Sequence, residues 1–111
     1  MSNWTDIGPL DAVRRRGARI IKAPGQDLAV FRTIDDQVFA LVNACPYREG
    51  PLSEGIVHGT LVTDPLYNWV ISLETGEAQG ADEGRVDTFP VKVEGGRILL
   101  DTSSIYQRQA A

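Results

Sequence analysis

Apolar and polar positions alternate most cleanly in Phe89-Pro90-Val91-Lys92-Val93-Glu94, where Phe89, Val91 and Val93 share one face and Lys92 and Glu94 take the other. Pro90 inside this run predicts an edge position or a bulge, because proline cannot donate to a ladder. Gly95-Gly96 then admits the positive φ of a tight turn, and Arg97-Ile98-Leu99-Leu100 returns, so the two runs predict a terminal hairpin. Asp27 to Ile34 and Gln37 to Asn43 are two further apolar runs around Asp35-Asp36, whose short acidic side chains suit a turn; they predict a second hairpin. Gly17 to Lys22 reads as another strand, and Pro9 to Val13 as a single helical turn with Pro9 at its first position. Val, Ile and Thr supply 25 of the 111 residues and cluster in such short runs. The pattern is that of an all-β, antiparallel sandwich.

The middle of the chain breaks the pattern. From Asn43 to Asn68 it carries Pro46, Pro51 and Pro65 with Gly50, Gly55 and Gly59, interrupted only by Gly55-Ile56-Val57 and Thr60 to Thr63. Two loops, residues 43–53 and 62–70, separated by a short hairpin fit this best, and long structured loops on a small sandwich commonly carry function. A length of 111 residues suits one domain over residues 1–111, with a polar tail over residues 103–111 expected to fray. No apolar run reaches membrane-spanning length, and Met1-Ser2-Asn3-Trp4 lacks the basic and apolar regions of a secretory signal; the expected location is the cytoplasm. A formal charge of −4, from 11 basic and 15 acidic side chains, argues against nucleic acid or an anionic membrane as the main partner. Cys45, the one cysteine, excludes an intrachain disulfide and any site built from several thiolates, and His58, the one histidine, has no nucleophile elbow near it. No catalytic residue is assigned.

Asn43-Ala44-Cys45-Pro46-Tyr47-Arg48-Glu49-Gly50-Pro51-Leu52, followed by Asp64-Pro65-Leu66-Tyr67-Asn68-Trp69, resembles the paired cluster loops of Rieske iron–sulfur domains, with Thr75-Gly76-Glu77 in the turn behind them. That family reads Cys-x-His, some sixteen residues, then Cys-x-x-His. The same frame here reads Cys45-x-Tyr47, sixteen residues, then Asp64-x-x-Tyr67, so the register is kept while three of four ligands are replaced. Trp4 to Leu10, Gly50 to Gly59 and Asn68 to Ile71 narrow the resemblance to the small subunit of assimilatory NAD(P)H-dependent nitrite reductase, over residues 4–101. The resemblance implies a Rieske-like fold with a two-loop, degenerate cluster-binding subdomain. It also implies a partner: a large subunit carrying flavin and sirohaem that reduces nitrite to ammonium.

Ligand chemistry can be argued directly. A Rieske centre binds one iron through two thiolates and the other through two neutral imidazoles. Tyrosine, with a pKa near 10, keeps its proton at neutral pH. Asp64 offers hard oxygen where the cluster wants soft sulfur. The expectation is therefore no [2Fe–2S] cluster, no other metal and no cofactor; a ferric ion gripped by Cys45, Tyr47, Asp64 and Tyr67 is the minority alternative, since a hard trivalent metal accepts phenolate and carboxylate. With the metal gone, Tyr47 or Tyr67 is expected to donate a hydroxyl hydrogen bond to Asp64 and pin the loops together.

Arg48, Glu49, Pro51, Leu52, Pro65, Leu66 and Asn68 combine apolar and charged groups at one end of the molecule and form the expected docking surface, with Trp69 packed beneath the second loop or anchoring the interface. Cys45 reads as an inert core thiol and His58 as an exposed turn residue. Arg14-Arg15-Arg16 reads as a solvated run that, with Arg19, could meet an acidic partner. The function that follows is a non-catalytic small subunit acting in assembly or stabilisation. The alternatives are a Rieske-type electron-transfer ferredoxin, which needs a cluster, and a freestanding binding module.

Overall fold

The computed structural model describes residues 4–23, 25–45, 50–80 and 83–103. Among them ten strands form three antiparallel sheets. One sheet joins β1 (Trp4–Pro9), β10 (Arg97–Asp101) and β9 (Val91–Glu94) in that order; the second joins β2 (Gly17–Ala23), β3 (Gln26–Arg32), β4 (Val38–Val42) and β8 (Thr88–Phe89). The third is small and joins β5 (Ile56–His58), β6 (Leu61–Thr63) and β7 (Val70–Ser72).

Within the second sheet β3 is buried on both faces, which explains why it reads as a continuous apolar run. Leu28 and Val30 point to one side and join Val13, Ala40, Phe89, Ile98 and Leu100 in a core shared with the first sheet. Ala29 and Phe31 point to the other side and join Leu41, Cys45, Leu52, Val57, Val62, Ile71, Leu73 and Val86. The two-loop subdomain therefore rests on the back of a sheet whose front closes the sandwich.

The expected hairpins β3–β4 and β9–β10 form, with Phe31 opposite Phe39 and Ile98 opposite Val93. Pro90 does more than mark an edge: β8 ends before it and pairs with β4, whereas β9 begins after it and pairs with β10, so the chain changes sheets at the residue that cannot donate. Leu10–Ala12 forms a 3-10 turn, with Pro9 flanking it as the last residue of β1 rather than within it. β1 and β7 go unpredicted by the alternation, the first because it is mostly exposed and ends in Gly8-Pro9, the second because it is three residues long. The tail from residue 104 lies outside the described residues.

The arginine run is not simply solvated. Arg15 donates to Asp36 at 2.9 Å, Arg16 Nε to the Val57 carbonyl at 3.1 Å, and Arg19 to the Ile7 carbonyl at 2.7 Å. Arg16 thereby ties the end of the sandwich to β5 of the loop subdomain. Buried Arg32 donates to Asp36 Oδ1 at 2.9 Å and to the Val13 carbonyl at 2.9 Å, satisfying a main-chain acceptor left over where the chain enters β2.

Candidate functional site

The two loops emerge beside β5 and β6. The second is closed on itself by Asp64: its amide donates to the Trp69 carbonyl at 2.7 Å, its carbonyl accepts from the Asn68 amide at 3.0 Å, and its carboxylate Oδ2 accepts from the Tyr67 amide at 2.8 Å. An aspartate that folds its side chain onto the amide three residues on is a local turn former, and Asn68, at φ +59°, takes the left-handed conformation asparagine tolerates. Asp64 is fully buried, and its other oxygen, Oδ1, has no hydrogen-bond partner among the described residues. The first loop closes through the Cys45 amide, which donates to the Gly50 carbonyl at 2.7 Å, and through the Asn43 side chain, which accepts from the Ser53 amide at 2.8 Å.

The loops meet at Gly50. A side chain there would place its Cβ 3.3 Å from Asp64 Oδ1 and 3.4 Å from Leu66 Cδ1. A Cβ there would press on the carboxylate by a few tenths of an ångström. The resulting end of the molecule exposes Pro51, Pro65, Leu66, Tyr67 and Asn68. Leu66 is 64% exposed and Tyr67 45%.

A family model of the Rieske-like [2Fe-2S] domain matches residues 3–101. The chain belongs to that family. Within it, the chain is 27% identical over 101 residues to the ferredoxin component of the naphthalene 1,2-dioxygenase system of Pseudomonas aeruginosa, covering 90% of this chain and 96% of that protein. It is 32% identical over 113 residues to the NAD(P)H nitrite reductase large subunit of Klebsiella oxytoca, covering 97% of this chain but only 12% of that much longer protein. Among solved structures, a Mycobacterium tuberculosis protein assigned as an NADH-dependent nitrite reductase small subunit has the same fold: TM-score 0.80 at 25% identity, over 90% of this chain and 95% of that one.

The residues at the Rieske-like cluster corners do not fit the cluster that gives the family its description. Cys45 is the one soft donor, buried in the core at 1% exposure. Asp64, which the sequence frame aligns with a second ligand, has one oxygen committed to its own loop and the other facing Gly50 across a gap that a single methyl group would fill. Tyr67 reaches Asp64 through its main-chain amide, and its side chain is half exposed at the tip. Among the described residues no three His, Cys, Asp or Glu side chains converge. Tyr47, with its expected hydroxyl bond to Asp64, lies outside the described residues, as do Arg48 and Glu49.

Of the expected docking residues, Leu66 and Asn68 are exposed and Trp69 is half-buried against the loop-side core. Leu52 is a correction. It opens a 3-10 turn, Leu52–Glu54, that rotates its side chain inward, where it is fully buried among Phe31, Val57 and their neighbours. Ile56 was missed: 61% exposed, it stands opposite Thr63 at the foot of the second loop. The signal was there, since Val57 is its inward neighbour and strand residues alternate. His58 is exposed as expected, at the end of β5 with Nε2 2.7 Å from Thr63 Oγ1. Among the described residues no helix is long and apolar enough to cross a membrane.

Proposed function

We propose that this chain is the non-catalytic small subunit of a cytoplasmic, assimilatory NAD(P)H-dependent nitrite reductase, that it holds no [2Fe–2S] cluster, and that it acts in assembling or stabilising a large flavin- and sirohaem-containing subunit. The observation that carries the partner is the Klebsiella oxytoca relative, in which a segment matching nearly all of this chain is continuous with the rest of a nitrite reductase large subunit. A domain that one protein keeps in the same polypeptide as its working partner is, as a separate chain, suited to meet that partner by docking. The donor set argues for the missing cluster: hard oxygens stand at positions that need sulfur or imidazole.

Docking falls to the loop end. Leu66 and Asn68, flanked by Ile56, Tyr67, Pro51 and Pro65, present exposed apolar groups among polar ones, with Arg48 beside them in sequence and Trp69 supporting them from below. The test is co-purification from the native host with iron and acid-labile sulfide measured in the same sample. The expected result is a colourless chain that retains a large subunit containing flavin and sirohaem. The Pseudomonas aeruginosa ferredoxin relative supports a second reading, an electron carrier. A brown preparation with two irons and two sulfides per chain would establish it and remove the first.

A further inference from the structure

We infer that Asp64 is the positioning residue of the second loop, doing with one carboxylate oxygen what ligation by a cluster would do, so that the docking end is shaped without metal. A cluster held by residues on two loops fastens both and couples their order to metal binding. Here three hydrogen bonds within residues 64–69 start or end on Asp64: the Tyr67 amide on Oδ2 at 2.8 Å, the Asn68 amide on its carbonyl at 3.0 Å, and its own amide on the Trp69 carbonyl at 2.7 Å. Two of these use the main chain and would survive any side chain; the bond to the Tyr67 amide needs an acceptor at the Oδ2 position. That bond sets the direction in which Leu66 and Tyr67 leave the surface.

The second oxygen completes the argument. Oδ1 is enclosed, without a partner among the described residues, and faces Gly50 and Leu66 at a clearance that a methyl group would fill. What Asp64 supplies to the loop is therefore an acceptor at Oδ2 and a fit at Oδ1. An asparagine, with the same shape and one acceptor oxygen, should replace it. This inference rests on the reading that no cluster is present, and its test separates the two.

Amide hydrogen exchange of Tyr67 and Asn68 is measured in the full chain, with the Phe31 and Leu41 amides of the core as internal reference. Asp64→Ala should speed exchange at Tyr67 about tenfold, the loss of one hydrogen bond, with the reference amides unchanged. Asp64→Asn should stay within about threefold of the parent, because the acceptor is kept. Treating the parent chain with an iron chelator should leave Tyr67 and Asn68 unchanged. If Asp64→Ala fails to fold, the asparagine and chelator arms still decide. Asp64→Asn loosening the loop as much as removal of the side chain would show that a neutral acceptor of the same shape does not suffice, and would overturn the inference. Loosening by chelator would overturn the inference in the same way, and stoichiometric iron and sulfide in the untreated sample would identify the failure as that of the cluster-free reading instead.

Discussion

Asp36 carries more of the chain's electrostatics than its place in a turn suggests. Arg15 and Arg32 both donate to its carboxylate, and they hold its pKa down at about 2, Arg15 contributing more than Arg32. A carboxyl whose folded pKa lies below its unfolded one stabilises the fold at pH values above the unfolded pKa, and that stabilisation is lost as pH falls toward the folded pKa. Denaturant midpoints measured between pH 5 and pH 2 should therefore fall, the Asp36 contribution being lost progressively from about pH 4 to about pH 2. Asp36→Asn should flatten that fall. The residue sits at φ +68°, which asparagine accepts readily, so the variant tests charge without backbone strain. At this scale the sequence was half legible. Asp35-Asp36 announced a turn, but nothing in the spacing of Arg15, Arg32 and Asp36 says that three residues from two turns and a strand end will meet. Asp64 is a similar case: its position in the family frame is plain, while its closure onto the Tyr67 amide involves main chain that has no signature of its own.

Among the elements, the turn after β7 is the least tolerant. Gly76 stands at φ +78°, and a Cβ there would lie 2.1 Å from the Val86 carbonyl oxygen, whose own amide donates back to the Gly76 carbonyl at 2.9 Å. No rotamer relieves a clash between Cβ and main chain. Gly76→Ala should cost on the order of 3 kcal/mol in urea unfolding, against roughly 1 kcal/mol for Gly→Ala replacement at an ordinary position of positive φ. In β3, Phe31→Ala should cost about 3–5 kcal/mol, since the side chain fills the loop-side core and the sheet behind it cannot move in to close the void. Strands with long apolar runs were readable: β2, β3, β4, β9 and β10 all lie where alternation and turn residues put them. The face each residue took was less so. Phe89, Val91 and Val93 alternate perfectly in sequence, yet Phe89 belongs to a different sheet from the other two because the ladder breaks at Pro90. Leu52 misled for a related reason: between Pro51 and Gly55 it reads as loop, and only the 3-10 geometry turns it into the core.

For the molecule as a whole, the exposed loop end and the buried sheet behind it give two substitutions with opposite signatures. If the proposed docking is right, Leu66→Glu should leave the unfolding midpoint unchanged and weaken capture of the proposed large subunit at least about tenfold in a pull-down titration, as loss of an interface anchor does. Leu52→Glu should do the reverse order of damage, destabilising the fold first by burying a charge, so that any loss of capture tracks loss of folded protein. Equal capture by Leu66→Glu and the parent chain would move the interface off this end. Fold class and the pairing of the loops could be read from the sequence because they rest on many weak, consistent signals. Which side chains face the partner could not, since exposure at the tip depends on how two loops lean on each other at Gly50.

The central sheet lends one face to the sandwich and the other to the loop subdomain, and this has a bearing on how such a protein can change. Loops that hang from a wall already secured on its far side have one anchor that does not depend on metal. A domain built this way could do without its prosthetic group and keep the surface around it, which is what the function proposed for this chain requires.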